Sequence, residues 1–405
     1  MKRNMNKKNI GRRALPIAAV ALLLALSLLL PGCAIIKDAI NGKPANTASA
    51  VTPEPAPTEA SEPTGEPTAK PTSEPEPTKQ PPLTRQPRED DVFKDVRDIE
   101  GVHYDYFAIP DIILGLMSKA DIELYKRVVL AYFAGEERVE VGKEYSEHPD
   151  LWRVIDMYCP VFFLDVDDTT IRETEDEITW EYADKAAHAS NIEMFEERID
   201  DLLACVPDGA EPIMRLLAMY KEYTRQIEYD GSLTVEDDES SPYIYRHSID
   251  ALMNGVGVCW CFARGFNFLI CQLGFESATV HGLRGGDNAI HEWVVFRDGG
   301  EWRYCDPTWD IYGTLTYFGF TIRVREHYNY AENRVYVLEG TRLRASRYFP
   351  VNDTFYSPLY TNICSGDDYR LDFDTNDIIF SNSLGITGMQ DYISFNVLTG
   401  EVKYR

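Results

Sequence analysis

The sequence lacks the residue spacings of a metal site and is short of positive charge. None of its eight cysteines forms a C-x-x-C pair, and none of its seven histidines stands at metal-ligand spacing from a cysteine. Zinc sites need ligands at such spacings, so we predict no metal site and no cofactor. Its 40 Lys and Arg stand against 66 Asp and Glu, a formal net charge of −26. So acidic a chain repels phosphate backbones, which disfavours nucleic-acid binding.

Long apolar runs are also absent, with one exception near the N-terminus. Residues 14–30 are apolar apart from one proline and one serine, and six basic side chains precede them. The segment Leu30-Pro31-Gly32-Cys33 follows and resembles a bacterial lipobox, in which the cysteine becomes lipidated. We therefore predict a lipoprotein signal peptide over 1–32 and a lipid anchor at Cys33, on the extracytoplasmic face of the cell membrane. The alternative is an uncleaved anchor helix, since about 17 apolar residues are enough to cross a bilayer.

The residues after Cys33 have the composition of a disordered segment. From residue 41 to about residue 90 the chain is rich in Pro, Thr, Glu, Ser and Ala, and Glu-Pro-Thr occurs at 62–64, 66–68 and 76–78. Such a segment cannot bury an apolar core and favours extended polyproline conformations. We predict that residues 33–90 form a disordered stalk. The alternative is a linker with no spacing role.

Patterns of apolar residues predict the elements of the body. Helical periodicity occurs over 120–133, 191–205 and 211–227, and strand-like runs occur over 138–141, 161–164 and 178–182. Short strands separated by turn residues are predicted at 334–338, 368–373, 378–381 and 392–397. We divide the body into a helical and strand region over 91–210, a core over 211–330 and a β-rich extension over 331–405.

A cysteine opens a further predicted helix. Cys259 follows the glycine-rich turn at 255–258, and apolar residues then recur at helical spacing up to Leu273, with Gly274 as a capping residue. A helix N-terminus stabilises negative charge, so this position favours a reactive thiolate. We predict a helix over 259–273 with Cys259 as the nucleophile. Cys261 is a rival, but residues two apart on a helix point about 200° apart, so both cannot face one cleft.

Two strands after this helix form a predicted hairpin. Residues 290–296 and 302–305 have strand character and flank Asp298-Gly299-Gly300, a typical turn sequence. His291 then lies at the start of one strand and Asp306 at the end of its partner, so antiparallel pairing brings the two together. A sulfur, an imidazole and a carboxylate in one place are the nucleophile, base and orienting group of a thiol enzyme.

Three further residues lie near this group in the sequence. Glu292 follows His291 on a strand, points to the opposite side, and is expected to be exposed. For His281, near the end of the preceding strand, we favour a structural role over a place beside the site. Tyr229 lies in the turn that follows the helix over 211–227. It either packs against the protein or borders the active site, where it could be an oxyanion donor.

Several motifs follow one another over about 55 residues, from Gly255 to Asp310. They are G-V-C-x-x-F-A-x-x-F, L-G-F, V-x-G, H-x-W and W-x-x-x-D-P-T-W-D. This order resembles the transglutaminase-like family, whose members have a papain-like cysteine-protease fold. The resemblance implies an α+β fold in which the helix carrying the cysteine packs on an antiparallel sheet, with a helical N-terminal region and a small β-rich C-terminal extension. It assigns Cys259 as nucleophile, His291 as base and Asp306 as the third member of the triad.

The resemblance implies an extracytoplasmic thiol enzyme. Its substrate would be an extracellular protein or a cell-wall peptide, and its reaction acyl transfer or hydrolysis at an amide. Trp260-Cys261 departs from the smaller or polar residues expected beside the nucleophile. The alternative is a non-catalytic binding module on the cell surface that retains the fold.

Two further patterns have competing interpretations. Val161 to Thr169 resembles the first motif of haloacid-dehalogenase-like phosphatases, an apolar strand that ends in the nucleophile Asp165, but the strand-helix units which that fold requires do not follow. The cysteines other than Cys33 and Cys259 either pair in disulfides or are buried thiols. They are Cys159, Cys205, Cys261, Cys271, Cys305 and Cys364.

Overall fold

The structure is a computed structural model in which eleven parts of the chain are described. They are residues 91–141, 151–231, 247–284, 289–311, 313, 315, 317–320, 331–335, 343–344, 369–380 and 392–404. All of them belong to one unit. The predicted signal peptide, the lipidation site Cys33, the stalk and Cys364 lie outside the described residues. Within the described parts, no helix is long and apolar enough to cross a membrane.

The described residues contain eight α-helices. Their bounds are α1 Asp111–Leu114, α2 Lys119–Phe133, α3 Leu151–Tyr158, α4 Phe162–Asp165, α5 His188–Leu203, α6 Pro212–Gln226, α7 Ser248–Asn254 and α8 Cys259–Gln272. Single 3-10 turns occur at Asp168–Thr170 and Lys185–Ala187. The helices predicted over 120–133, 191–205, 211–227 and 259–273 are confirmed as α2, α5, α6 and α8.

Fifteen strands occur in the same parts of the chain. They are β1 Arg138–Glu140, β2 Arg172–Glu173, β3 Glu177–Thr179, β4 Glu228–Tyr229, β5 Val256–Gly257, β6 Ser277–Arg284, β7 Ala289–Asp298, β8 Glu301–Cys305, β9 Phe318–Phe320, β10 Ala331–Val335, β11 Leu343–Arg344, β12 Tyr369–Asp372, β13 Asp377–Phe380, β14 Tyr392–Asn396 and β15 Val402–Tyr404. The mixture of helix and sheet that the sequence predicts is confirmed.

The strands form four sheets. The largest has the order β11-β10-β6-β7-β8-β9, and all of its neighbouring strands are antiparallel. Strands β12 to β15 form an antiparallel meander, β1, β2 and β3 form a small sheet, and β4 and β5 form a parallel pair. The meander lies against α6, where the ammonium of Lys221 is 4.1 Å from the ring centre of Tyr369.

Helix α8 packs on the central strands β6 and β7 of the large sheet. Its residues Phe262, Phe266 and Leu269, at helical spacing, are fully buried. Helices α3 and α7 also contact α8. The first turn of α8 is therefore held close to the strand that carries His291.

The predicted hairpin is confirmed as β7 and β8. Asp298 pairs with Glu301, and the two residues between them, Gly299 and Gly300, have φ angles of +57° and +90°. Positive φ at both central positions is the geometry of a two-residue hairpin turn, and glycine adopts it without steric cost. The turn fixes the register, and that register determines where the far ends of the two strands meet.

The strand predicted at 161–164 is wrong, because these residues begin the single helical turn α4. The N–H of Phe163 donates to the carbonyl of Pro160 at 3.1 Å, which starts the turn. Asp165 then points into a buried cluster, where it accepts the Tyr132 hydroxyl at 2.9 Å and lies 2.7 Å from Nδ1 of His188. A run of four apolar residues is too short to distinguish a strand from a buried helical turn. The phosphatase motif therefore has no strand to carry it.

Candidate active site

Two glycines shape the turn that leads into α8. Gly255 ends α7 with a φ of +68°, and a Cβ atom there would lie 2.2 Å from the carbonyl oxygen of Gln226. Gly257 lies so close to α8 that a Cβ atom would be 2.7 Å from Cβ of Cys261. Only glycine fits these approaches. The turn thus places β5 against β4, with Tyr229 opposite Gly257.

Cys259 is the first residue of α8 and has a free thiol. The first N–H groups of a helix have no partner within the helix and carry a partial positive charge, so they stabilise an anion there. The residue is 4% exposed. Its thiol is hydrogen-bonded to His291. The sulfur is therefore in contact with the predicted base.

His291 and Asp306 lie together at the ends of the paired strands β7 and β8. Nε2 of His291 is 2.5 Å from Oδ2 of Asp306. Burial acts to lower the pKa of His291, but the charge and hydrogen bond of Asp306, with a smaller contribution from Cys259, raise it to about 10. The imidazole is thus protonated at neutral pH, and it donates to the carboxylate.

Asp306 is oriented by the backbone around it. Its N–H donates to the carbonyl of Tyr317 at 3.0 Å, and its Oδ1 accepts the N–H of Thr308 at 3.1 Å. Asp310, four residues on in the same motif, accepts the Tyr220 hydroxyl at 2.6 Å and the Tyr317 N–H at 2.9 Å. The second aspartate of the D-P-T-W-D motif thus joins this loop to α6.

Aromatic rings surround the imidazole. The ring centre of Trp293 lies 5.9 Å from that of His291 and is nearly parallel to it, and that of Trp309 lies 6.5 Å away. On the other side of the turn, Tyr229 is 47% exposed, and its ring centre is 6.1 Å from that of Phe262. Tyr229 therefore borders the turn that carries Cys259.

The rival Cys261 is fully buried, beside Gly257. Burial raises the pKa of its thiol well above the ordinary value, so the thiolate is disfavoured. The cysteine that is hydrogen-bonded to His291 is Cys259. No disulfide joins the six cysteines in the described residues, and the buried-thiol interpretation holds for Cys159, Cys261, Cys271 and Cys305, whereas Cys205 is a half-buried thiol.

The expectation that Glu292 is exposed is wrong: the residue is 1% exposed. Both of its carboxylate oxygens accept hydrogen bonds from Arg264, at 2.9 Å each. Burial would raise the pKa of Glu292, but the charge of Arg264 outweighs it and lowers the pKa to about 2. Arg264 was not singled out from the sequence. A charged residue between Ala263 and Gly265, in an otherwise apolar helix, was the available signal, because a buried charge requires a partner.

His281 pairs with Glu292 across β6 and β7. Burial, opposed by the charge of Glu292 and assisted by that of Arg153, lowers the pKa of His281 to about 3. The ring is therefore neutral at physiological pH. Across the described residues, no three or more His, Cys, Asp or Glu side chains are grouped in a way that could hold a metal ion.

Comparisons with known proteins give weak structural likenesses. No family model and no curated protein matches the sequence. The chain is similar to a Cytophaga hutchinsonii protein assigned as a cysteine protease, at 17% identity and a TM-score of 0.23, over 28% of this chain and 37% of that one. It is also similar to a TGase, at 12% identity and a TM-score of 0.25, over 42% of this chain and 50% of that one. The chain thus spans half or less of both structures, and TM-scores this low carry no argument about its activity.

Proposed function

We propose that this protein is a thiol enzyme of transglutaminase-like type that acts on amide bonds of proteins or peptides. The observation that carries the proposal is the position of His291, which is hydrogen-bonded to the Asp306 carboxylate and to the Cys259 thiol. A thiol enzyme needs its base in contact with the nucleophile on one side and with the orienting group on the other. The charge on His291 also favours a thiolate at Cys259.

The proposed reaction has two steps. The Cys259 thiolate attacks the carbonyl carbon, a C–S bond forms, and the carbonyl electrons move to oxygen. When the C–N bond breaks, the leaving amine takes a proton from His291, and a thioester remains. Water or a second amine then attacks the thioester and gives its proton to His291, and the sulfur leaves as a thiolate. The backbone N–H of Cys259, at the start of α8, is the proposed oxyanion donor.

The proposed setting is the extracytoplasmic face of the membrane. The basic and apolar leader, the lipobox-like segment ending in Cys33 and the Pro/Thr/Glu-rich stalk support this proposal from the sequence. Substrates would then be extracellular proteins or cell-wall peptides.

The test is incubation of the protein with a glutamine-containing protein and a labelled amine, and separately with a pool of peptides. We expect incorporation of the amine or cleavage of a peptide, and loss of either product in Cys259→Ala. If neither product forms and ligand binding is intact in Cys259→Ala, the chain is instead a non-catalytic binding module.

A further inference from the structure

Arg264 connects the helix of the nucleophile to the strand of the base. It lies five residues after Cys259, so it is about 7.5 Å along the axis of α8 from the sulfur-bearing residue. Its partner Glu292 follows His291 directly on β7. Nε and Nη2 of Arg264 each donate to one oxygen of the Glu292 carboxylate, at 2.9 Å. This bidentate geometry fixes the orientation of the Arg264 guanidinium relative to the Glu292 carboxylate as well as the distance between them.

The third nitrogen of Arg264 reaches a different helix. Its Nη1 donates to Oδ2 of Asp156, on α3, at 2.9 Å. The other oxygen of Asp156 accepts the N–H and the hydroxyl of Ser248, the first residue of α7, at 2.9 and 2.7 Å. Since α7 ends at Asn254, just before the turn into Cys259, the same guanidinium joins both sides of that turn to β7.

A buried charge is costly to desolvate, and a buried ion pair is weak evidence of a gain in stability. Burial opposes the charge of Arg264, although Glu292 and Asp156 outweigh it and raise its pKa above the ordinary value. Buried ion pairs can often be replaced by apolar residues of similar volume with no loss of stability. A bidentate buried pair does, however, define the relative position of the two elements that it joins.

We propose that Arg264 and Glu292 are positioning residues that hold the Cys259 thiol against His291. They act through the first turns of α8 and the backbone of β7. The inference rests on the proposed thiol chemistry, because it concerns the contact between the same sulfur and imidazole.

The test is the pH dependence of alkylation of Cys259 by iodoacetamide, followed by mass spectrometry on the intact, folded chain. In the unaltered protein we expect a rate that stays level from alkaline pH down to about pH 6, since protonated His291 stabilises the thiolate. In Arg264→Lys, which keeps the charge and loses the bidentate contact, we expect the rate at pH 6 to fall at least about tenfold relative to pH 9.

Two further variants separate positioning from stability. Arg97→Met removes another guanidinium, one that pairs with both Asp91 and Asp105 near the start of the described residues, and we expect it to leave the alkylation profile unchanged. Arg264→Met with Glu292→Leu removes both charges of the bidentate pair. Asp156 loses Arg264 but keeps the hydrogen bonds from Ser248 and lies 3.8 Å from Nδ1 of His247, so the protein should fold. We expect this double variant to be folded and to lose the level rate at low pH.

The outcomes distinguish the two proposals. If the unaltered protein shows the rising profile of an ordinary thiol, the thiol chemistry is wrong and the positioning role with it. If the unaltered protein shows the level profile, and Arg264→Lys or the folded double variant keeps it, the thiol chemistry stands and the positioning role is wrong.

Discussion

Nε2 of His291 lies 2.5 Å from Oδ2 of Asp306, and the same imidazole is hydrogen-bonded to the Cys259 thiol. The imidazole is therefore held between a carboxylate and a sulfur. In that position its proton can be given to a leaving amine on one side while the other side stays oriented. The first two predictions concern these three residues.

Asp306→Asn should lower the pKa of His291 from about 10 toward its ordinary value, because the carboxylate is the largest influence that raises it. The pKa is measured by NMR titration of the His291 ring. The matched control is Asp298→Asn, a change of the same kind at the far end of β7 from His291, where Asp298 lies 3.8 Å from Arg303. It should leave the pKa of His291 unchanged. If the pKa of His291 is the same in Asp306→Asn and Asp298→Asn, the Asp306 carboxylate does not raise the pKa of the imidazole.

Cys259→Ala should abolish labelling of the folded protein by a small thiol-reactive probe, and Cys261→Ala should spare it. The reason is that Cys259 contacts the charged imidazole, whereas Cys261 is fully buried with its thiol protonated. Peptide mapping by mass spectrometry after brief labelling identifies the modified residue. Labelling that survives in Cys259→Ala and disappears in Cys261→Ala would reverse the assignment.

Gly255→Ala should destabilise the protein more than Gly209→Ala. The two glycines have nearly the same φ, +68° and +69°, but a Cβ at Gly255 would lie 2.2 Å from a carbonyl oxygen and one at Gly209 meets nothing within 4 Å. We expect about 1 kcal/mol for Gly209→Ala from its backbone conformation and several kcal/mol for Gly255→Ala. Urea unfolding gives both values.

Gly255→Ala should also slow labelling of Cys259, because the turn that carries the sulfur must shift. Gly209→Ala should not change the labelling rate. Equal free energies of unfolding for the two variants would mean that the close approach at Gly255 is relieved without consequence for the site.

The free energy of unfolding should fall as pH rises from about 6.5 to about 10. His291 has an ordinary pKa of 6.5 and a folded-state pKa of about 10, so the folded state holds a proton that the unfolded state releases in this window. The contribution is fully present below pH 6.5 and is lost above pH 10, and it is on the order of a few kcal/mol. His247, with its pKa raised to about 9 by Asp156 and Asp168 against the effect of burial, adds to the same trend.

The measurement is urea unfolding of the unaltered protein and of His291→Gln at pH 6, 8 and 10. The loss of stability should be smaller in His291→Gln, where only the His247 contribution remains. Parallel pH curves for the two proteins would show that the folded state does not hold the extra proton on His291.

Local patterns were sufficient to predict the elements that carry the site. The helix that begins at Cys259 follows from apolar periodicity after a glycine turn, and the hairpin follows from Gly299 and Gly300 between two strand-like runs. The hairpin register alone brings His291 near Asp306. These features depend on residues close together in the sequence, which is why the sequence reveals them.

Features that depend on distant pairs were not predicted. Glu292 was expected to be exposed because strand alternation places its side chain on the face opposite to that of His291. Strand alternation does not show what packs against that face. Its partner Arg264 is 28 residues away, and Asp156 is a further 108 residues from Arg264. No local pattern reports such a pairing. The prediction of a strand at 161–164 was wrong for a related reason. A short segment that is buried on all sides is a run of apolar residues whether it forms a helical turn or a strand.

The absence of disulfides among the six described cysteines has a practical consequence at the bench. The folded body derives its stability from packing and polar contacts rather than from covalent cross-links between these residues. Dithiothreitol can therefore be present throughout purification, where it will protect the Cys259 sulfur from oxidation without loosening this part of the fold.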